Sequence, residues 1–485
     1  MPFHRSVRVR ALLAGAATAG ALTAVGAPGA TAVQVPVNAR PHGDIVATDP
    51  GLRFTGRWDR HHGAGGDEAA TVNSGSAVSL RFTGDDLTAL LDVSTVTVAP
   101  QIWVTVDNGP RGLVTADRAE IDLTPQRLRP GAHTVRIDVK DTDQVTNRWV
   151  PPLQSAVVLR GFRLADGARL LPPPRPEPLS MAFYGDSITE GIRALGMPLT
   201  PDGADGTRTY AALTARAFGA GLTQVGFGKQ GVMRPGVGNV PSAPESFGYD
   251  FQGVPAQGGP QPDVVVLLQG SNDSQVTDEE FAPAYLAYLR QVRASAPHAW
   301  ILAMEPLIGR HALPIHDDVT ALGDPRIAYV STDGWLDRTS TADYTDTVHP
   351  TVAGHLTVAE HLVPIVRDIT GLTVRSAPVQ VTAPPVTAAA GHPVTVPVAV
   401  HINRLWAARR PARGRVVVTP PAGFTTPRTS MPFTAGPDGR TDVTVLLRGT
   451  LTDGATGAGG EVRILVDGQT ETLPVPLTVV ADSRS

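Results

Sequence analysis

The sequence predicts a multidomain protein in which a central α/β domain, built on a parallel sheet, lies between two β-sandwiches. Three observations predict it. Short alternating strands fill 45–165 and 375–482, apolar runs interleaved with helical patterns fill 179–370, and five prolines in the eight residues Leu171–Pro178 separate the first region from the second. Strands buried on one face alternate with period two, whereas strands covered on both faces read as continuous apolar runs. The change of pattern is therefore a change of architecture. At 485 residues the chain exceeds what one hydrophobic core organises, which agrees with several domains.

The first 32 residues are expected to be a signal peptide and not part of the fold. Arg5, Arg8 and Arg10 form a basic start, Ala11–Val25 is apolar and small, and Ala30-Thr31-Ala32 fits a small-x-small cleavage site. The apolar run is too short and too rich in Ala and Gly for a transmembrane span, and no second run reaches the ~18 residues a span needs. The expectation is a secreted protein without a transmembrane anchor.

In 45–165, Val78, Leu80 and Phe82 alternate with polar neighbours, as do Ile102, Val104 and Val106, and Val135, Ile137 and Val139. Turn sequences such as Asp107-Asn108-Gly109 and Pro130-Gly131 separate them. A β-sandwich follows. The segment 166–178 is a stiff, extended Pro-rich linker.

In 179–370, Met181–Tyr184, Val264–Leu268, Trp300–Met304 and Ile327–Val330 are expected as buried strands. Phe281, Tyr285, Leu289 and Val292 lie on one helix face, and Thr277 with Glu280 forms a capping box at its start. Alternation of strand and helix argues for a parallel sheet covered by helices. From 375 onward strands return at Val394–Val400, Arg415–Val418, Val443–Leu447, Val462–Val466 and Leu473–Val480. They predict an immunoglobulin-like sandwich with no chemistry of its own, serving as a spacer or attachment module.

Composition narrows the function. The formal charge is −4, and no basic patch of the kind nucleic acid requires is evident. There is no cysteine, which removes thiol nucleophiles, thiolate metal sites and disulfides. His61, His62, His311 and His316 lack metal-ligand spacing, so neither metal nor cofactor is expected. The acidic loop Asp202–Asp205 lacks the rest of a calcium-binding pattern and is expected to be solvated.

Four short motifs carry chemistry: Gly185-Asp186-Ser187, Gly228-Lys229-Gln230-Gly231, Gly270-Ser271-Asn272-Asp273, and Asp346-Thr347-Val348-His349-Pro350. Acyl transfer needs a nucleophile, a base oriented by a third group, and donors for an oxyanion. Ser187 follows a strand and opens a helix. It can be a nucleophile, or equally the N-cap of a capping box with Glu190. Asn272 can donate its amide to an oxyanion or simply make a turn. Gly231 lets a backbone N–H approach substrate closely, while Asp273 braces the loop. Pro350 suits the first turn of a helix, which places His349 at that helix's entrance with Asp346 in reach of the imidazole. Together the motifs outweigh the bland reading of each.

These motifs resemble the SGNH (GDSL-type) hydrolases over 179–370. The resemblance implies a three-layer, flavodoxin-like domain. It makes Ser187 the nucleophile and first oxyanion donor, Gly231 and Asn272 the other donors, and His349 the base oriented by Asp346. Asp186, Gly228 and Asp273 are supporting residues, with Gly228 the alternative oxyanion glycine. The second block of that family usually begins with Asn, and Gly226 stands there instead. The preceding β-sandwich, with Leu52–Trp58 and Val78–Gly84, resembles that of carbohydrate esterase family 2 and is expected to be jelly-roll-like. This implies a serine esterase that removes acetyl groups from carbohydrate. It would accept a small-molecule or polysaccharide ester, touch glycan or cell wall through its flanking domains, and carry an aromatic such as Trp300 or Trp335 near the site. The alternatives are a lipase acting on long acyl chains and a non-catalytic glycan- or wall-binding protein.

Overall fold

The computed structural model describes residues 44–481, apart from 64–65, 108, 258, 378, 405, 407–410, 436–439, 453–454 and 467–474. The expected signal peptide, 1–32, lies outside the described residues.

Five parallel strands form the central sheet: Leu179–Asp186, Ala220–Phe227, Val264–Leu268, Trp300–Met304 and Ile327–Val330. Numbered along the chain, their spatial order is 2-1-3-4-5. Four coincide with the apolar runs read from the sequence. The second, Ala220–Phe227, was not legible. It has two glycines, and its Gln224 points at the N-terminal β region, donating to Ser74 Oγ at 3.2 Å.

Both faces of the sheet are covered. Met181, Phe183, Val264, Val266, Leu268, Leu302 and Met304 pack with residues of helix α2 (Tyr210–Phe218) and helix α6 (Val352–Thr370). Ala182, Val265, Leu267, Ile301 and Ala303 pack with residues of helix α4 (Asp278–Ser295) and helix α5 (Ala312–Leu322) on the other side. The Thr277–Glu280 capping box opens α4 as expected. Helix α6 starts two residues later than the proline suggested: Thr351 is its N-cap, accepting the Gly354 N–H, and Pro350 stands outside the helix. The Gly/Pro-rich segment Met233–Pro262 holds the short helix α3 (Ala243–Ser246), opened by a Ser242–Glu245 capping box, and a small hairpin of Tyr249–Phe251 with Val254–Pro255.

The N-terminal region forms two six-stranded antiparallel sheets around one core that includes Trp58, Leu80, Phe82, Val104, Ile137 and Phe162. Its last strand, Arg169–Leu171, pairs with Thr83–Arg81, so the sheet extends into the segment expected as linker. This region also shares a smaller apolar cluster with the central one, in which Val72, Trp149 and Leu153 meet Val225, Phe227 and Phe251. The C-terminal region forms a four-stranded and a five-stranded sheet on its own core, Val398, Val416, Phe433, Val445, Leu447 and Ile464 among it. Trp406 links it to the central core and donates to the Ser376 carbonyl at 2.8 Å.

The acidic loop is solvated at Asp202 only. Asp205 is fully buried, its carboxylate receiving the Trp103 indole N–H at 3.1 Å and the Thr207 N–H at 2.9 Å. Asp202, at the exposed end, accepts from Gln101. The sequence carries no sign that a neighbouring sheet covers this loop.

Candidate active site

In sheets of order 2-1-3-4-5 the crevice for a ligand lies beyond the carboxyl ends of strands one and three, where the order reverses. Ser187 directly follows strand one, and Asn272 lies four residues past strand three. The topology alone brings these two motifs to one place.

Ser187 is the first residue of helix α1 (Ser187–Glu190). It is not the N-cap. Asp186 is, accepting the Ile188 N–H at 2.9 Å. The Asp186 side chain takes the capping role, and Glu190 turns away to pair with Arg148. That leaves the Ser187 hydroxyl free for another partner, which is His349: Nε2 lies 2.9 Å from Ser187 Oγ. On the far side of the ring, Nδ1 lies 2.8 Å from Asp346 Oδ2.

Asp346 reaches the imidazole because its loop is tightly turned. Its Oδ1 accepts the backbone N–H of Val348 at 2.8 Å and of His349 at 2.7 Å. Burial pushes this carboxyl up, but the His349 N–H, the His349 ring and the Val348 N–H outweigh it and hold the group well below the usual carboxylate range. The oxygen that meets the imidazole also accepts from Arg193 Nη1, a residue the sequence reading did not single out. Nothing local in the sequence marks it, since the two residues are 153 positions apart.

Behind the site, His355 in α6 is fully buried, accepts the Tyr210 N–H at 3.3 Å and stacks on the Tyr210 ring. Burial, with a contribution from His349, holds it at about 3 and therefore neutral. Asp186 is pushed up by burial, against the lowering effect of the Ile188 N–H.

The other expected donors are close by but engaged with the protein. Asn272 Nδ2 donates to the Gln230 carbonyl at 3.0 Å and to Asp186 Oδ2 at 3.3 Å. The Gly231 N–H donates to the Arg234 carbonyl at 2.9 Å. Asp273 accepts the N–H groups of Val232 and Met233, each at 2.9 Å. A Cβ on Gly231 would sit 2.5 Å from that carboxylate, so only glycine fits. The backbone N–H of Gly228 lowers the proton affinity of the Glu190 carboxylate, against the larger effect of burial. Gly226 also has a reason: a Cβ there would meet Asp186 O and Glu190 N, each at 2.6 Å.

Trp300 is not near the site. It opens strand four, at the amino end of the sheet, with Arg326 over its ring. Trp335 follows strand five and stacks on His361. His311 is packed flat against Phe281 at 4.0 Å and bonded to Asp278, a structural arrangement. Among the described residues no group of three His, Cys, Asp or Glu side chains is arranged to hold a metal ion, and no helix is long and apolar enough to cross a membrane.

Residues 183–356 match the model of the GDSL-like lipase/acylhydrolase family. No curated protein sequence matches the chain. Among solved structures, the chain is similar to a family two carbohydrate esterase from Cellvibrio japonicus, with a TM-score of 0.57 and 22% identity over 68% of this chain and 98% of that one. A family two carbohydrate esterase from Clostridium thermocellum in complex with cellohexaose gives 0.54 and 24%, over 66% and 100%. An acetyl xylan esterase from Butyrivibrio proteoclasticus gives 0.54 and 18%, over 67% and 96%. These likenesses show a shared fold that extends into the N-terminal β region.

Proposed function

We propose that this chain, whose residues 183–356 match the model of the GDSL-like lipase/acylhydrolase family, is a secreted serine esterase that removes short acyl groups, acetyl first, from carbohydrate. The observation that carries the reading is the unbroken chain Ser187 Oγ, His349, Asp346, with bonds of 2.9 and 2.8 Å. His349 Nε2 takes the hydroxyl proton as Ser187 attacks the ester carbonyl. Asp346, kept ionised by its backbone N–H partners, fixes the tautomer and stabilises the imidazolium. The imidazolium then gives its proton to the leaving alcohol. Water activated by the same histidine releases the acid from the acyl-enzyme.

The oxyanion would draw on the Ser187 N–H, the Gly231 N–H and the Asn272 amide. The last two would have to share or exchange their present acceptors, Arg234 O and Asp186 Oδ2. Such tightening on substrate binding is usual for catalytic hydrogen bonds. The carbohydrate assignment is supported by the fold shared with family two carbohydrate esterases and an acetyl xylan esterase. Export is supported by the basic and apolar N-terminal segment, and N-terminal sequencing of protein from the culture medium would test it.

One observation favours a second reading, longer acyl chains. Leu195, Met197 and Leu199 follow Arg193, Met233 follows Gly231 by two residues, and all four are exposed. Hydrolysis of p-nitrophenyl esters from acetate to palmitate, beside acetate release from acetylated xylan, separates the two. The carbohydrate reading expects a maximum at acetate and release from xylan. A maximum at eight carbons or more overturns it in favour of lipid esters. In Ser187→Ala all hydrolysis should fall by ~10⁴-fold or more, and undiminished turnover would remove the esterase assignment altogether.

A further inference from the structure

Arg193 stands three residues beyond α1 and joins three pieces of the site. Its backbone φ is 59°, in the left-handed region that residues other than glycine rarely enter. In that conformation its carbonyl accepts the Thr345 hydroxyl at 2.7 Å, and the next carbonyl, of Ala194, accepts the Val352 N–H at 3.1 Å. The histidine loop is thus fastened on both sides of His349 to the segment after α1. The side chain goes further. Nη1 donates to Asp346 Oδ2, and Nε donates to the Met197 carbonyl at 3.1 Å. One guanidinium ties the carboxylate to the exposed apolar loop that begins at Leu195.

We propose that Arg193 is a positioning residue of the hydrolytic reaction, holding Asp346 Oδ2 and tempering its pull on the imidazolium so that His349 works as a base at lower pH. This rests on the serine-esterase reading above. The same carboxylate oxygen serves both the His349 ring and Arg193. A carboxylate alone favours the protonated ring. A guanidinium on the same oxygen offsets part of that field and extends the pH range over which the ring is neutral.

The other charged and titratable groups around the ring do not supply this effect. Asp186 lies across Ser187 with its carboxylate turned to Ile188 and Asn272. His355 is buried and neutral in α6. Arg338 is engaged with the Thr347 carbonyl, and Arg234 and Arg310 with the carbonyls of Asn272 and Ser271. Arg193 is the cation bonded to the carboxylate that orients the ring.

The test compares Arg193→Gln and Arg193→Lys with the parent in the pH dependence of kcat/KM for p-nitrophenyl acetate. The expected result is an acid limb displaced upward by about half a pH unit in the Gln variant, the partly exposed pair being screened. The Lys variant, which keeps the charge and loses the Met197 bond, should keep the parental limb. A purely structural role would lower the curve of both variants uniformly, and an unmoved limb in Arg193→Gln overturns the proposal. A second measurement does not depend on turnover: NMR titration of the His349 ring in Ser187→Ala, with and without Arg193→Gln. The midpoint should rise when Arg193 is replaced, and an unchanged midpoint also overturns the proposal. If Ser187→Ala retains full activity, the esterase reading fails by itself, and the ring titration still decides the electrostatic claim.

Discussion

Two carboxylates lie at the four-residue helix that begins with Ser187, one beside its first residue and one on its last, and each is paired with an arginine, yet their environments are opposite. Asp346, at the front, is about one-fifth exposed and wrapped in backbone N–H groups. Glu190, at the back, is buried with the fully buried Arg148, which comes from the N-terminal β region. Hydrogen bonds hold Asp346 below the ordinary carboxylate range, whereas burial pushes Glu190 up despite its arginine. Asp141, also buried nearby, is raised by burial and by Glu190 itself. One turn of helix thus adjoins both the Ser187–His349–Asp346 chain and a fastening between two regions. A charge solvated by the protein's own donors stays available for reaction. A charge merely enclosed becomes a fastening between two regions, reinforced here by Ser74 Oγ on the Glu190 carbonyl at 2.7 Å.

The largest effect expected is at the front. Asp346→Asn should reduce kcat by about 10³–10⁴ because the amide stabilises the wrong ring tautomer and cannot balance an imidazolium. Its melting temperature should change little, since an Asn oxygen can still accept the Val348 and His349 N–H groups. Steady-state kinetics beside thermal unfolding checks both halves. A variant that lost its fold along with its activity would break the comparison.

At the back the order reverses. Arg148→Met leaves Glu190 as an uncompensated buried charge and should lose about 3–5 kcal/mol of stability. Activity per folded molecule should fall less than tenfold. Urea unfolding with active-site titration measures the two separately. A stable but inactive Arg148→Met protein would mean that the back pair belongs to the chemistry. Replacing both partners, as Arg148→Met with Glu190→Leu, should recover more than half of the loss, because a pair replaced by apolar groups leaves no unpaired charge. Failure to recover would show that Thr142, which accepts from Arg148 at 3.2 Å, and the neighbouring acids hold the arginine in place on their own.

This contrast also marks what the sequence could tell. The meeting of Ser187, Asp346 and His349 was legible because each stands in a contiguous motif at a strand or helix end, where the backbone fixes position. The strands Val264–Leu268 and Trp300–Met304 were legible because burial on both faces leaves no polar residue in them. The pairings of Arg148 and Arg193 were not. Their partners lie 42 and 153 positions away, and an arginine in a loop looks the same whether it is solvated or buried. The same holds for Asp205, read as a solvated loop acid and in fact covered by Trp103. For Ser187 against Asp186 as helix cap, both side chains are suitable. The choice was settled by the His349 ring, which the capping pattern does not contain.

The smallest effect expected isolates burial from pairing. Asp250, between Tyr249 and Phe251, is buried, and burial pushes it up to about 6 against the opposing influence of Arg57 and the Gln257 N–H. The unfolded value is near 3.9. A carboxyl with a raised folded value stabilises the fold fully below about pH 4, where both states are protonated, and that contribution is lost as pH rises through 6. Asp250→Asn keeps the shape and cannot ionise. It should therefore match the parent near pH 4 and exceed it by about 1–3 kcal/mol at pH 8. Denaturant unfolding at the two pH values gives the difference directly. Equal stability at pH 8 would mean that Arg57 compensates the ionised carboxylate fully. Asp250 would then belong with Asp346, as a charge the protein solvates, and not with Glu190.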